Sequence, residues 1–173
     1  MDFFEVVKNR FSYRGAFQDK EVPKEDLDKI LDAALRAPSG CNAQTTGIVV
    51  VTEAARRKEL AATFPFAHKG LNSAPVLLAV YSEKKAVYRG RNYELQDCAA
   101  LLENLMLAAT ALGYASVWTE GQTEDDDCAK KAAALLGIPD GKTVRAILPL
   151  GVPEETNVPE RKIADGRLHF EQY

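Results

Sequence analysis

Paired cysteines, histidine clusters, a basic excess and long apolar runs are all missing from this 173-residue sequence, and each absence removes a class of protein. Cys41, Cys98 and Cys128 are an odd set with no CxxC pair, and only two histidines accompany them. That pattern gives neither a disulfide framework nor a zinc site, so no metal ligands are expected. A net charge of −3 argues against a general nucleic-acid binder, which shows a basic excess. No apolar run reaches the length of a membrane span. Met1-Asp2-Phe3-Phe4-Glu5 is acidic where a signal peptide is basic, so the reading is a cytoplasmic protein without membrane contact. A Gly-rich dinucleotide fingerprint, an internal repeat and a low-complexity linker are also missing. What remains is one domain, long enough to bury its own core.

The stretch that organises the chain is Ala37-Pro38-Ser39-Gly40-Cys41-Asn42-Ala43-Gln44, followed by Ile48-Val49-Val50-Val51. It reads as a helix end, a tight polar turn and a buried strand. Pro38 cannot continue a helix, and Gly40 supplies backbone freedom just after it. Ser39, Asn42 and Gln44 offer one hydroxyl and two amides, all uncharged. Amides donate and accept at once, which suits a heteroaromatic ring edge carrying carbonyls and N–H groups. The same residues also suit an ordinary solvated turn.

Before this turn, residues 2–9 read as a short helix with Phe3, Phe4, Val6 and Val7 on its apolar face. In Asn9-Arg10-Phe11-Ser12-Tyr13-Arg14-Gly15, an extended backbone puts Arg10, Ser12 and Arg14 on one face. Two guanidiniums flanking a hydroxyl form a cradle for a phosphate monoester. Surface arginines in ordinary ion pairs are the alternative. A helix opens at Pro23, lines up Leu27, Ile30, Leu31 and Ala34, and runs to Pro38. Strand 47–52, a charged helix near 54–63, an irregular stretch over 64–72 and a strand at Val76–Tyr81 follow. His68 in the irregular stretch has the chemistry of an acid or base, although a lone loop histidine is more often simply solvated.

The longest helix, about Tyr93 to Leu112, is apolar or small at nearly every position from Cys98 on, and such a helix requires burial on all sides. A partner subunit is one way to supply it. Beyond Gly113, Tyr114–Trp118 reads as a strand ending at Thr119-Glu120-Gly121. A helix over 124–136 opens with Glu124, Asp125, Asp126 and Asp127, acids explained by the helix dipole more simply than by a metal. Val144–Leu150 is the last strand, and the tail from Pro153 has little core of its own.

Together these pieces resemble the nitroreductase family of flavin mononucleotide (FMN) enzymes. The resemblance rests on Arg10-Phe11-Ser12-Tyr13-Arg14, the Ala37–Gln44 turn, Asp97 and Asn104, Gly113 to Trp118, Leu150-Gly151 and Arg161-Lys162. It implies an α+β fold, a mostly antiparallel central sheet flanked by helices, in an intertwined homodimer. It also implies that Arg10, Ser12 and Arg14, with Phe11 between them, hold the phosphate and ribityl chain of FMN. Pro38, Ser39, Asn42 and Gln44 would lie against the isoalloxazine, partly across the dimer interface, and Lys69 would reach the pyrimidine carbonyls. Thr119, Glu120 and Gly121 would face the N5–O4 edge, and Arg161 would add a second phosphate contact. Thr45 and Thr46 depart from the family, where Pro and an aromatic are frequent. Gly15-Ala16 departs as well, standing where a basic residue and Phe often follow.

The implied activity is transfer of hydride from NAD(P)H, in ping-pong order, to a nitroaromatic, quinone or similar electron-poor ring. No side chain is expected to act as an indispensable acid, base or nucleophile. A specialised flavin enzyme on the same scaffold (dehalogenase or flavin-cleaving) and a non-catalytic FMN-binding or storage protein are the alternatives.

Overall fold

In the computed structural model, which describes residues 1–64, 67–120, 127–160 and 166–173, helices cover both faces of a four-stranded sheet. Chain order is α1 (Phe3–Asn9), α2 (Lys24–Leu35), a single 3-10 turn (Gly40–Asn42), β1 (Thr46–Val51), α3 (Ala54–Ala61), α4 (Lys69–Ser73), β2 (Val76–Glu83), α5 (Glu94–Ala111), β3 (Ala115–Ser116), α6 (Cys128–Leu136) and β4 (Lys142–Gly151). The strand order is β1-β2-β4-β3, and every neighbouring pair is antiparallel.

Period-2 alternation in the strands divides the core into two layers. Leu77, Ala79 and Ile147 face Leu60 of α3, Leu71 of α4 and Ala132 of α6. Val76, Leu78, Val80 and Leu148 face Ile30 of α2 and Leu101, Leu102 and Leu105 of α5. Burying each such Leu or Ile side chain contributes about 1.5–3 kcal/mol. Between Val80 and Tyr81 the register slips: Val80 faces Ala146, Tyr81 faces Val144, and Arg145 becomes the extra residue of a bulge. The slip reverses the alternation, so Val144 joins the first layer while Ala146 joins the second.

Several boundaries differ from the sequence reading, each for a physical reason. α1 is fixed by a capping box, with the Glu5 N–H donating to Asp2 Oδ1 at 2.9 Å and the Asp2 N–H to Glu5 Oε2 at 3.0 Å. Of its expected apolar face only Val6 is buried. α2 stops at Leu35 with Arg36 as its cap, short of Pro38, because the residue before a proline is pushed out of the helical region. The stretch over 64–72 is not wholly irregular, since Lys69–Ser73 forms the one-turn helix α4.

α5 buries a stripe (Cys98, Leu101, Leu102, Leu105, Met106, Ala109) rather than its whole circumference. Leu95 is 49 % and Leu112 38 % exposed within this chain. The expected 114–118 strand pairs fully only at Ala115–Ser116. Asp127, at the start of α6, pairs with Lys130 at 2.6 Å instead of capping its helix. Glu124, Asp125 and Asp126 lie outside the described residues.

Candidate functional site

The Pro38–Gln44 turn is built around one buried carboxylate. Asp97, one turn into α5 and 4 % exposed, accepts the Gly40 N–H on Oδ1 and the Thr45 hydroxyl on Oδ2, both at 2.7 Å. Ser39 Oγ accepts the Gln44 N–H at 3.0 Å, closing the turn on itself. A side chain at Gly40 would strike the Tyr93 ring, its Cβ falling 2.6 Å from a ring carbon, so glycine is required there.

Three residues of this turn, Cys41 (φ 52°), Asn42 (φ 53°) and Gln44 (φ 50°), occupy the left-handed region without being glycine. Each left-handed residue costs roughly 1–2 kcal/mol, and only Asn tolerates the conformation well. Strain of this kind persists where the surroundings impose it, and it concentrates at ligand-binding sites. Pro38, Asn42 and Gln44 are exposed, and Ser39 is half-buried. A cleft of about 310 Å³ opens beside them, lined by Pro38, Ser39, Gln44, Thr46 and Asp97 together with the end of α2. Among the described residues, three roomier clefts, of about 510, 620 and 410 Å³, lie beside β1, beside α6 and beside Pro75, lined by none of the expected site residues.

The arginine segment has the extended form its alternation implied. The Tyr13 N–H donates to the Ser116 carbonyl at 3.0 Å, and a single bridge pairs Ser12 with Ser116. Tyr13 is buried, its hydroxyl donating to the Ala16 carbonyl at 2.5 Å. Phe11 packs edge-to-face on Tyr13, while Ser12 and Arg14 on the other side are exposed. Arg10 lies 3.7 Å from Glu103 of α5, an ion-pair contact.

A third group gathers at α4. His68 immediately precedes that helix, and its Nε2 lies 3.2 Å from Thr119 Oγ1. Its Nδ1 is buried without a partner among the described residues. Burial and then the nearby Arg14 guanidinium hold the imidazole below its ordinary value. Lys69 is exposed, and Thr119 and Glu120 are half-buried. Gly121 and Arg161 lie outside the described residues.

Among the described residues, the expected ones thus form two sets that one chain does not bring together. Thr46, just past the polar turn, pairs with Ser82, which pairs with Thr143. Ser12 is bridged to Ser116, which pairs with Leu150. Seven residues of β4 separate the two ends by about 23 Å, and four strand spacings add about 19 Å across the sheet. Sequence reasoning identified Asp97 by its resemblance value only; its role as anchor of the turn was missed. A carboxylate immediately before the apolar stripe that begins at Cys98 was the available signal, because a buried carboxylate must find donors.

This helix-covered antiparallel sheet is a scaffold documented among known proteins. The chain belongs to the nitroreductase family, whose model matches residues 7–67 and 62–152. It is 34% identical over 177 residues to a Methanothermobacter thermautotrophicus protein assigned as an NADH dehydrogenase/NAD(P)H nitroreductase, covering 100% of this chain and 88% of that one. A crystal structure from Bacteroides thetaiotaomicron with the same assignment superposes with a TM-score of 0.87 at 28% identity, covering 99% of this chain and 98% of its own. A Bacteroides fragilis nitroreductase crystallised with bound FMN gives a TM-score of 0.80 at 29% identity, covering 99% of this chain and 100% of its own.

Proposed function

We propose that the chain is an FMN-dependent NAD(P)H oxidoreductase, one 173-residue domain acting as a cytoplasmic homodimer on nitroaromatic, quinone or similar electron-poor rings. The observation that carries this reading is the strained turn held by Asp97: three of its residues are left-handed, and Ser39 and Gln44 present uncharged hydrogen-bonding groups to the adjoining cleft. The donor set suits FMN. Exposed Ser12 and Arg14 match a terminal phosphate, and the amides of Asn42 and Gln44 match a ring edge bearing both donors and acceptors. Bound FMN would supply the two-electron chemistry.

Within this reading Arg10, Phe11, Ser12 and Arg14 bind the phosphate end, with Arg161 as a further phosphate contact. Pro38, Ser39, Asn42 and Gln44 orient the ring. Lys69 places positive charge at the pyrimidine carbonyls, and the backbone of Thr119, Glu120 and Gly121 offers donors beside it at the N5–O4 edge. NAD(P)H and the acceptor use the same place in turn, which is a ping-pong order.

The homodimer is supported by the distance between the two residue sets, so the polar turn of one chain would complete the site of the other. Exposed apolar groups also need cover: Phe3 65 %, Phe4 81 %, Leu168 76 % and Phe170 82 %. Among the described residues no helix is long and apolar enough to cross a membrane. The test is a visible spectrum of the purified protein before and after anaerobic NAD(P)H. A flavin spectrum that bleaches promptly supports an ordinary reductase. A flavin that stays oxidised favours the storage alternative, and reconstitution without any flavin overturns the reading.

A further inference from the structure

α4 has only five residues, yet it joins three segments that the proposed function places around one flavin. At its start, His68 Nε2 meets Thr119 Oγ1 at 3.2 Å. At its end, Ser73 Oγ accepts the Phe17 N–H at 3.0 Å and donates to the Lys69 carbonyl at 2.9 Å. Phe17 stands three residues beyond Arg14, and its ring packs against Gly70 together with the imidazole. Thr119 is itself fixed to the sheet, its carbonyl accepting the Ile147 N–H at 3.2 Å. The arginine segment, Lys69 and the Thr119–Glu120 turn are therefore clasped by one short helix.

The hydrogen-bond inventory fixes how the imidazole serves in this clasp. If Nδ1 carried the proton, a buried N–H donor would be left unpaired among the described residues, the costlier kind of orphan. With the proton on Nε2, the ring donates to Thr119 Oγ1, and Nδ1 is left as a bare acceptor. The Thr119 hydroxyl then keeps its own proton for another acceptor. A protonated ring would restore the unpaired donor and add charge beside Arg14.

We propose that His68 is a positioning residue for the cofactor: as a neutral imidazole it orients Thr119 and locks α4, so that Lys69 and the Thr119–Glu120 backbone address the flavin as one rigid edge. This rests on the FMN reading of the site. The role differs from acid–base catalysis, because His68 acts through Thr119 and α4 without touching the reacting atoms.

The test uses the full-length flavoprotein with His68→Phe, Thr119→Val, the double variant, and the conservative His68→Gln and Thr119→Ser. FMN affinity and the midpoint potential of the bound flavin are measured for each. Losing one hydrogen bond should weaken FMN binding roughly two- to tenfold in either single variant. The double variant should be no worse than the poorer single, because both remove the same bond. The potential should move in the same direction in both singles, and His68→Gln and Thr119→Ser should restore both quantities. Additive losses, or an unmoved potential in folded variants that still bind FMN, overturn the clasp while leaving the flavin reading intact. A wild-type protein that takes up no flavin overturns both.

Discussion

Gly40 and Asp97 stand 57 residues apart, and the glycine N–H donates to the aspartate Oδ1 at 2.7 Å. Through this bond and its twin to Thr45, the start of α5 dictates a turn whose own residues would not choose that conformation. Left-handed Cys41 and Gln44 persist because α5 is already held by its apolar stripe in the core. Strain at the turn is thus offset by packing elsewhere.

Asp97→Ala should therefore destabilise the protein and loosen the turn together. A hydrogen bond to a charged group contributes about 1.5–3 kcal/mol, and two are lost. Asp97→Asn keeps one acceptor and should be intermediate. Urea denaturation and FMN titration check both halves. An alanine variant of full stability with unchanged FMN affinity would remove Asp97 from its role.

Arg14→Ala should weaken FMN binding by about 1.5–3 kcal/mol, or roughly ten- to a hundredfold, through loss of a charge-assisted phosphate contact. Folding stability should barely change, because Arg14 is exposed. Arg10→Ala should weaken FMN binding as well, but by less, since that guanidinium is shared with Glu103. Fluorescence quenching of FMN reads both variants. An unchanged affinity in Arg14→Ala takes that residue out of the site.

Much of the scaffold was legible in the sequence because its signals are local. The short apolar run Val76–Tyr81 bounded by Pro75 and the acids after Pro23 mark a strand and a helix wherever they fall. Left-handed φ values at Cys41 and Gln44 were not legible, because no local preference favours them; they follow from a carboxylate far along the chain. α4 was missed for a similar reason: its single turn is held by Phe17 and Thr119, and five residues carry too little periodicity to be seen. The Arg145 bulge escaped too, since a one-residue slip leaves no compositional mark.

Acid should destabilise the fold through His68. Burial and then Arg14 lower the folded-state pKa of this imidazole beneath its ordinary 6.5. Between the folded value and 6.5 the unfolded chain binds more protons, so stability rises with pH across that window and levels off above it. The contribution disappears as pH falls through the folded value. His68→Gln should flatten this part of the stability–pH curve from below pH 6.5 upward. Parallel curves for the two proteins in urea titrations would deny His68 the effect.

Removal of the chain beyond about Pro153 should release flavin and promote aggregation at once. The tail exposes Val158, Leu168, Phe170 and Tyr173, which need a surface from another copy in the proposed dimer. Sedimentation of the full-length protein should show a dimer even when dilute. A truncated monomer that stays folded and keeps its FMN would contradict a site shared between chains.

Cys41→Ser, His68→Gln and His169→Gln should each retain turnover within several-fold once flavin occupancy is normalised. Cys41 sits exposed in the middle of the strained turn, where a nucleophile would be tempting. Yet no histidine is among its hydrogen-bonded neighbours on the described residues, and hydride transfer between rings needs alignment more than proton abstraction. Cys98 is a poorer candidate still, because burial and then the Glu120 charge push its thiol up to about 12, leaving scarcely any thiolate at neutral pH. His68 Nε2 is engaged with Thr119 and its Nδ1 is buried, while His169 stacks on Tyr173 in the exposed tail. Water can protonate a reduced nitro or quinone product. Steady-state NAD(P)H oxidation with a quinone acceptor provides the measurement. A loss on the order of a thousandfold in any one variant, with FMN still bound, is what removal of an essential acid, base or nucleophile produces. That result would replace alignment by side-chain chemistry as the source of the rate.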